Sequence, residues 1–359
     1  MTISLRTPIC DLFGIRYPIV QTGMGFVSDA RLTAATSSAG GLGILAGVTL
    51  SYAELEAAIR ETKRLTSAPF GVNLRANASD ASARVDLLIR EQVKVASFAL
   101  APKPELIARL KEAGVVVVPS VGARRHAEKV AAWGADAVVV QGGEGGGHTG
   151  PVPTSLLLPQ VVDAVDIPVI AAGGFFDGRG LVAALAYGAA GVAMGTRFLL
   201  TSDSPVSDSV KQRYLVASVT DTVVTDMLDG VPQRLLRTPY VNRLVRSGPV
   251  SRTLRGARAA MRFRRLTGAQ WRDIVREGLA MRRTHELGWS QVLLAANTPM
   301  LIKTAMVDGL PDQGVMATGQ VAGLIDDLPS CAELVERIMA QAAAVLDRLH
   351  ALSSQAEER

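Results

Sequence analysis

The sequence predicts an α/β fold, namely a (β/α)8 TIM barrel with a smaller helical domain near the C-terminus. Short β-branched or apolar runs alternate with alanine-rich amphipathic stretches through about the first 200 residues. Eight such runs occur, and their starts lie about 20 to 30 residues apart, the length of one strand, one helix and two loops. Glycine follows several of the intervening helices, as at Gly114, Gly134 and Gly188. An open doubly wound sheet shows a similar alternation and is the alternative fold.

The eight runs predict the strands of the barrel in chain order. They are Pro18–Gln21, Gly43–Ala46, Phe70–Leu74, Val95–Ala99, Val115–Pro119, Ala137–Gln141, Pro168–Ala172 and Val192–Phe198. After Thr201 the pattern changes to longer helical segments without strands, at Val206–Ala217, Trp271–Arg283 and Trp289–Val307. The pattern of Ser330–Leu349 predicts a final amphipathic helix, and the polar segment Ser353–Arg359 is expected to be a frayed tail.

We therefore expect three parts. Residues 1–205 would form a barrel that binds a flavin, and residues 206–310 a helical substrate or lid domain. Residues 311–359 would return to the barrel and pack a last helix on it. At 359 residues with 48% hydrophobic residues, the chain is long enough to bury one large core and a smaller one.

Composition narrows the class of protein. The two cysteines, Cys10 and Cys331, lie in contexts typical of buried helix or strand flanks and have no metal-ligand spacing, so no metal site is predicted. The N-terminus has no signal-peptide pattern, and no apolar run reaches about 18 residues, which predicts a cytoplasmic enzyme without a membrane span. Aromatic residues make up only 4% of the chain, too few for an aromatic-rich nucleic-acid surface.

The charge is unevenly distributed. The formal net charge is +5, but the segment Arg234–Arg283 holds 14 arginines against two acidic residues, Asp273 and Glu277. The rest of the chain is therefore acidic. A segment of this kind indicates an anionic partner, and the alternative is a solvated helix face.

The ends of the seventh and eighth predicted strands carry glycine pairs. Gly173–Gly174 ends one strand and Gly195–Thr196 the other. In a TIM barrel the loops after these two strands commonly hold a phosphate. The helix that opens at Asp177 would add free N–H groups and a helix dipole. Turn glycines are the alternative interpretation of each pair alone.

The sixth predicted strand ends in a loop of glycines, Gln141–Gly150, that contains His148. A loop with so few side chains predicts a close approach of its backbone to a ligand. His148 is the candidate acid or base, because its proton exchanges near neutral pH. The alternative is a histidine that hydrogen-bonds only its own loop. Gln141 offers an amide to ring heteroatoms, and Glu144 is expected to order the loop.

Three other strand ends offer small or polar groups. Gly23 and Met24 follow the first strand, where a planar ring would lie against the backbone. Asn73 ends the third strand and Ser120 the fifth. Turn capping is the alternative for Asn73 and Ser120.

Together these segments resemble the nitronate monooxygenase family, formerly the 2-nitropropane dioxygenases, and its relatives among flavin-dependent enoyl-thioester reductases. The resemblance spans nearly the whole chain. It rests on Pro18–Met24, Phe70–Asn73, Gln141–His148, Ala171–Gly174, Asp177–Gly180, Met194–Phe198 and Thr318–Gln320.

The resemblance implies a barrel with a helical substrate domain, bound FMN, and His148 facing the flavin as acid or base. It also implies that Thr318–Gln320 returns to the barrel mouth, where Gln320 is a candidate substrate contact. The residues that would line the FMN are Gly23, Met24, Asn73, Gln141, Gly146, Gly174, Gly195 and Thr196.

Within the family, Gly143–Ser155 and the arginine-rich segment are most similar to an actinobacterial branch that degrades steroid rings as coenzyme A thioesters. Gly145 stands where many relatives have alanine. The leading hypothesis is therefore oxidation or reduction of a C–C bond conjugated to a carbonyl in a bulky acyl-CoA. Its phosphates would pair with arginines of the lid, namely Arg243, Arg246, Arg252 and Arg255.

Two other functions are open at this point. The first is oxidation of alkyl nitronates with O2, which leaves the basic segment unexplained. The second is a barrel without catalysis whose basic segment contacts nucleic acid or an anionic membrane, although it has no recognisable binding motif. The direction of electron flow, NAD(P)H as an electron partner and assembly into a homo-oligomer also stay open.

Overall fold

Eight parallel strands close into a barrel in the computed structural model, which describes residues 5–246 and 289–357. The expected (β/α)8 barrel is confirmed, and a closed sheet excludes the open alternative. The barrel order is β1-β2-β3-β4-β5-β6-β8-β9. The strands are β1 Ile19–Gln21, β2 Leu42–Ala46, β3 Phe70–Arg75, β4 Val95–Ala99, β5 Val116–Val121, β6 Val138–Gln141, β7 Gly147–His148, β8 Val169–Ala172 and β9 Gly191–Met194.

The helices of the first part of the chain alternate with these strands. They are α1 Pro8–Phe13, α2 Ala30–Ser38, α3 Tyr52–Leu65, α4 Ala81–Arg90, α5 Pro104–Glu112, α6 Arg124–Ala132, α7 Thr154–Val162, α8 Gly178–Ala186 and α9 Thr196–Leu199. The start of α3 shows how the sequence sets such boundaries. Ser51 Oγ accepts from Glu54 N–H at 3.3 Å, and Glu54 Oε2 accepts from Ser51 N–H at 2.8 Å, which forms a capping box.

Alternation along the strands divides the core in two. One apolar cluster fills the barrel and includes Val20, Ile44, Val118 and Ile170. A second cluster lies between strands and helices and takes the alternate residues, such as Val72. Helix α1 adds Ile9, Cys10 and Phe13 to the first cluster, all fully buried.

Much of the chain after β9 belongs to a second compact unit. This unit comprises Gly146–Thr149 and Val206–Gly323, whereas Met1–Gly145, Gly150–Pro205 and Leu324–Arg359 form the first. Its α-helices within the described residues are α10 Asp208–Leu215, α11 Pro239–Val245 and α12 Trp289–Met306. It also holds an antiparallel sheet in which β11 (Gln233–Leu236) pairs with both β10 (Thr222–Thr225) and β7. The expected three-part division at residues 205 and 310 stays a prediction.

The last helix, α13 (Cys331–Glu357), belongs to the first unit and packs against α8 and α2. The backbone of α13 approaches so closely that a Cβ at Gly178 would lie 2.9 Å from the carbonyl carbon of Gln341. In a (β/α)8 barrel the helix after the eighth strand lies beside the first barrel helix. Helix α13 is therefore the eighth barrel helix, and the larger part of the second unit, Val206–Gly323, is inserted between β9 and that helix.

Three expectations about elements were wrong. The eighth predicted strand ended at Phe198, but β9 ends at Met194 because Thr196–Leu199 is helical. The segment after Thr201 was expected to lack strands, yet β10 and β11 lie there. Each has only four residues, which is too short for a clear periodic signal. The tail expected to fray from Ser353 continues α13 to Glu357.

One other expectation is confirmed, and another concerns residues that the structure does not describe. Both cysteines are buried, as expected. The predicted helix Trp271–Arg283 lies outside the described residues. None of the helices within 5–246 and 289–357 combines the length and apolarity that crossing a membrane requires.

Candidate active site

The two predicted glycine pairs lie on neighbouring strands at the same end of the barrel. Strand β8 pairs with β9, with Ala172 opposite Ala193, and β9 pairs with β1. Because all eight strands are parallel, Gly173 and Gly195 follow their strands at the end where TIM-barrel active sites form. The structure thus brings these glycines onto one edge, which also carries the end of β1.

The backbone at the first pair suits an anion. Gly173 and Gly174 have φ of 87° and 89°, a left-handed conformation that favours glycine. In the described part of the chain, the N–H groups of Gly173, Gly174 and Gly195 donate no hydrogen bond to another residue. Unpaired N–H groups in such turns form concavities that bind phosphate.

The start of α8 offers fewer free N–H groups to this site than expected. Asp177 Oδ1 accepts from Gly180 N–H at 3.0 Å, and Gln341 Oε1 accepts from Gly178 N–H at 2.8 Å. Those groups were expected to be free for an anion, but a carboxylate and an amide of the protein already bind them. The predicted anion site therefore depends mainly on the glycine pairs.

Gly23 and Met24 lie beside the second pair. A Cβ at Gly195 would lie 3.1 Å from Thr22 Oγ1 and 3.5 Å from Met24 Sδ, and a Cβ at Gly23 would collide with Asn73. The loop is held by Ser28, whose Oγ accepts from Met24 N–H at 2.9 Å. The structure therefore brings together Gly23, Met24, Asn73 and Gly195.

Polar side chains replace apolar ones in the barrel interior at the C-terminal ends of the strands. Ser120 and Gln141 continue the inward alternation of Val118 and Val139 on their strands, and Asn73 lies opposite Ser97 of β4, which continues that of Val95. Ser97 on β4 belongs with them, because Asn73 Nδ2 donates to Ser97 Oγ at 3.2 Å and both residues are buried. Ser97 was missed, although a polar residue at an inward position of an apolar strand was a usable signal.

The glycine loop after β6 is held to Gly173 by a set of contacts that we call the Glu144 brace: Glu144, Thr154 and Gly173. Glu144 Oε2 accepts from Thr154 N–H at 2.9 Å and lies 2.7 Å from Thr154 Oγ1. Thr154 Oγ1 also lies 2.9 Å from the Gly173 carbonyl oxygen. The expectation that Glu144 orders the loop is therefore confirmed by these contacts.

Gly145 lies against Gln141. A Cβ at position 145 would lie 2.6 Å from Gln141 Nε2 and 2.7 Å from Cγ and Cδ of the same side chain. The Gln141 amide can occupy this position only because residue 145 has no side chain.

His148 lies in the second unit, on β7, and its side chain is 60% exposed. Its Nε2 lies 2.8 Å from Asp229 Oδ2, and the Asp229 side chain is only 16% exposed. Burial opposes ionisation of Asp229, but hydrogen bonds from His148, Gln233 and Val231 N–H outweigh it and lower the pKa of Asp229. Asp229 was missed because 81 residues separate it from His148.

The other predicted residues of the second unit are spread over three elements. Arg243 is exposed on α11, and Arg246 is exposed at the end of that helix. Gly146 packs against Thr318 and Gly319, since a Cβ at position 146 would lie 2.6 Å from Gly319 N. Gln320 begins a 3-10 helix, Gln320–Leu324. Arg252 and Arg255 lie outside the described residues.

Arg197, the neighbour of Thr196, is a buried charge that sequence reasoning missed. Its guanidinium is 5% exposed and donates to Asp327 Oδ1 at 2.9 Å and to the Leu200 carbonyl at 2.5 Å. Burial lowers the pKa of Arg197, an effect that Asp327 opposes. The pair holds α9 to the segment before α13.

Known proteins resemble this chain over nearly its full length. The sequence profile of the family described as Nitronate monooxygenase matches residues 6–83 and 79–341. A protein of Rhodococcus jostii is 61% identical over 97% of this chain and 99% of its own length. A protein of Mycobacterium tuberculosis is 63% identical over 98% of this chain and 99% of its own length. Both are named (3aS,4S,5R,7aS)-5-hydroxy-7a-methyl-1-oxo-octahydro-1H-indene-4-carboxyl-CoA dehydrogenase.

A solved structure supports the same relationship. FabK from Thermotoga maritima superimposes with a TM-score of 0.78 at 35% sequence identity. The superposition covers 97% of this chain and 99% of that one.

Proposed function

Because the chain belongs to the nitronate monooxygenase family of oxidoreductases, we propose that it is an FMN-dependent dehydrogenase of a bulky, ring-bearing acyl-CoA. The reaction oxidises a C–C bond next to the thioester carbonyl. The observation that carries this proposal is the identity of 61% and 63% to two dehydrogenases named for a bicyclic carboxyl-CoA. The word dehydrogenase in both names also favours oxidation over reduction.

The residues present at the barrel end fit FMN. The unpaired N–H groups of Gly173, Gly174 and Gly195, with the hydroxyl of Thr196, would hold its phosphate. The inward amides and hydroxyls of Asn73, Ser120 and Gln141 would meet the polar edge of its ring, and Gly23, Met24 and Gly146 stay predicted contacts. FMN, when bound, supplies a two-electron acceptor for a hydride from the substrate.

His148 is the proposed base. A thioester carbonyl acidifies the hydrogen on the adjacent carbon, so a neutral imidazole is a suitable acceptor for that proton. The proton would leave this carbon for the imidazole while the neighbouring carbon loses its hydride. The positive charge that develops on the imidazole is stabilised by the negative charge of the Asp229 carboxylate, whose Oδ2 lies 2.8 Å from Nε2.

Arg243 and Arg246 are the proposed contacts of the coenzyme A phosphates. They lie three residues apart at the end of α11, which places them on one face of the helix, and both are exposed. Arginine binds phosphate oxygens in bidentate fashion. Neither the described residues of the structure nor the names of the relatives support NAD(P)H as the electron partner.

Anaerobic titration of the purified flavoprotein with the indene-carboxyl-CoA named for the relatives tests this proposal. We expect bleaching of the flavin absorbance, with the free acid and coenzyme A as inactive controls. Arg243→Gln and Arg246→Gln should raise KM, whereas Arg213→Gln should not, because that exposed arginine of the same unit pairs with Asp312. No bleaching by the thioester would refute the proposal.

Oxidation of nitronates is the second candidate, favoured by the family description itself. His148 would then deprotonate neutral nitroalkanes. Oxygen uptake with propionate 3-nitronate, combined with no bleaching by the acyl-CoA, would favour this function.

A further inference from the structure

The carboxylate that contacts His148 is itself held by two further hydrogen bonds, and their interpretation rests on the proposed function. Residue Asp229 lies in the loop between β10 and β11, and its Oδ1 accepts from Val231 N–H at 3.1 Å. Its Oδ2 accepts from Gln233 Nε2 at 2.6 Å and also meets His148 Nε2. Gln233 is buried and lies directly opposite His148 in the register of β11 and β7.

We propose that Asp229 is a positioning residue that binds the Nε2–H of His148 and thereby assigns proton exchange with the substrate to Nδ1. An ionised carboxylate has only acceptors, so the imidazole nitrogen that it meets must carry a proton. A neutral imidazole has a single N–H, and fixing that proton on Nε2 leaves Nδ1 as the basic nitrogen. The lowered pKa of Asp229 keeps the carboxylate ionised throughout the neutral range.

The same arrangement serves the protonated ring. When Nδ1 takes the proton from the carbon next to the thioester, the imidazole becomes an imidazolium with N–H groups on both nitrogens. The Nε2–H bond to Asp229 persists and gains charge assistance. A carboxylate behind a histidine acts in this way in hydrolase triads, where it fixes the tautomer without taking the proton.

A merely structural role does not explain these contacts. An ion pair with an exposed histidine contributes little to stability, whereas Asp229 is mostly buried and receives three polar contacts. Gln233 and the Val231 N–H therefore fix the orientation of the carboxylate before His148 binds it.

The tautomer of His148 is measurable without the reaction. The chain has four histidines, so 15N-histidine labelling of the FMN-loaded protein gives few signals, and His148→Gln identifies the one that matters. At about pH 8, where an ordinary histidine is neutral, we expect the Nε2–H form in the native chain. We expect a mixture of tautomers in Asp229→Asn. A native ring protonated on Nδ1, or an unchanged tautomer in Asp229→Asn, would overturn the proposal.

Kinetics give the second measurement. Asp229→Asn should lower kcat about 10- to 100-fold, as loss of an orienting carboxylate does elsewhere, while KM for the acyl-CoA changes less than about threefold. Asp229→Glu should recover part of kcat. Asp226→Asn is the matched control, since it removes the same charge from an exposed position of the same loop and should leave kcat unchanged.

Controls separate folding and function from positioning. FMN content and thermal unfolding should match the native chain; if Asp229→Asn fails to fold, Asp229→Ser retains an acceptor for the Val231 N–H and takes its place. If the native enzyme does not oxidise the acyl-CoA, the proposed function fails, and the 15N measurement still decides whether Asp229 fixes His148. Equal losses of kcat in Asp229→Asn and Asp226→Asn would refute a positioning role.

Discussion

Thr154 should stabilise both the fold and the predicted phosphate site. Replacing Thr154 with valine keeps the shape of the side chain but removes the hydroxyl of the Glu144 brace, which lies 2.7 Å from Glu144 Oε2 and 2.9 Å from Gly173 O. A hydrogen bond to a charged group contributes about 1.5–3 kcal/mol, and an unpaired buried acceptor costs about 1–3 kcal/mol.

The expected loss is at the lower end of that range. The backbone N–H of Thr154 still donates to Glu144 at 2.9 Å, so the carboxylate keeps one partner. We expect the free energy of unfolding to fall by about 2 kcal/mol. Because the Gly173 carbonyl then loses its partner, we also expect the Kd for FMN to rise about tenfold, which corresponds to about 1.4 kcal/mol.

Two measurements check these values. Denaturant unfolding of the FMN-free protein gives the free energy, and fluorescence titration with FMN gives the Kd. Thr154→Ser retains the hydroxyl and should stay within about 0.5 kcal/mol of the native chain. If Thr154→Val binds FMN as tightly as Thr154→Ser does, the brace does not support the phosphate site.

Three further predictions concern other parts of the first unit. Gly145→Ala should displace the Gln141 amide, since the new Cβ would lie 2.6 Å from its Nε2, and should shift the bound flavin spectrum with under about 1.5 kcal/mol lost in unfolding; an unchanged spectrum counts against contact between Gln141 and the ring. Asp327→Ala should lower the free energy of unfolding by about 2–3 kcal/mol, because it leaves the buried Arg197 without its carboxylate; a loss below about 0.5 kcal/mol would contradict this. Burial raises the pKa of Cys331 to about 12 from 9.0, so a thiol reagent at about pH 8 should label Cys331 only after denaturation. Stability from this group should be complete below pH 9.0 and decline above it, because only the unfolded thiol then ionises.

The local pattern of apolar residues in the sequence was sufficient to predict the barrel strands. Each parallel strand is buried on both faces, so runs such as Val138–Gln141 stand out against their polar surroundings. Strand β9 was predicted too long because β-branched Thr196 and aromatic Phe198 suit a strand as well as the short helix that they form.

The strands of the second unit could not be predicted from the local sequence pattern. Strand β7 has two residues, and its partner Gln233 lies far along the chain. No period can be read from two residues. The pairing depends on contacts that only the folded chain reveals.

The candidate site divides in the same way. A glycine directly after a strand indicates that the backbone closely approaches a ligand or another part of the chain. Gly173, Gly174 and Gly195 could therefore be selected from the sequence. Asp229 and Arg197 could not, because an acid in a loop and an arginine after a strand are ordinary features until their partners are known. The expectation of a free N–H at Gly178 was wrong because Gln341, which binds it, comes from the opposite end of the chain.

The identity of α13 as the eighth barrel helix sets the order in which the protein can be completed on the ribosome. All eight strands have been synthesised by Met194, but the helix that covers the seam beside α2 begins only at Cys331. Until then the nascent barrel exposes the apolar faces that α8 and α2 bury against α13. A chain stopped before Cys331 would hold every strand and still lack part of its outer layer, which makes such truncated forms prone to aggregation.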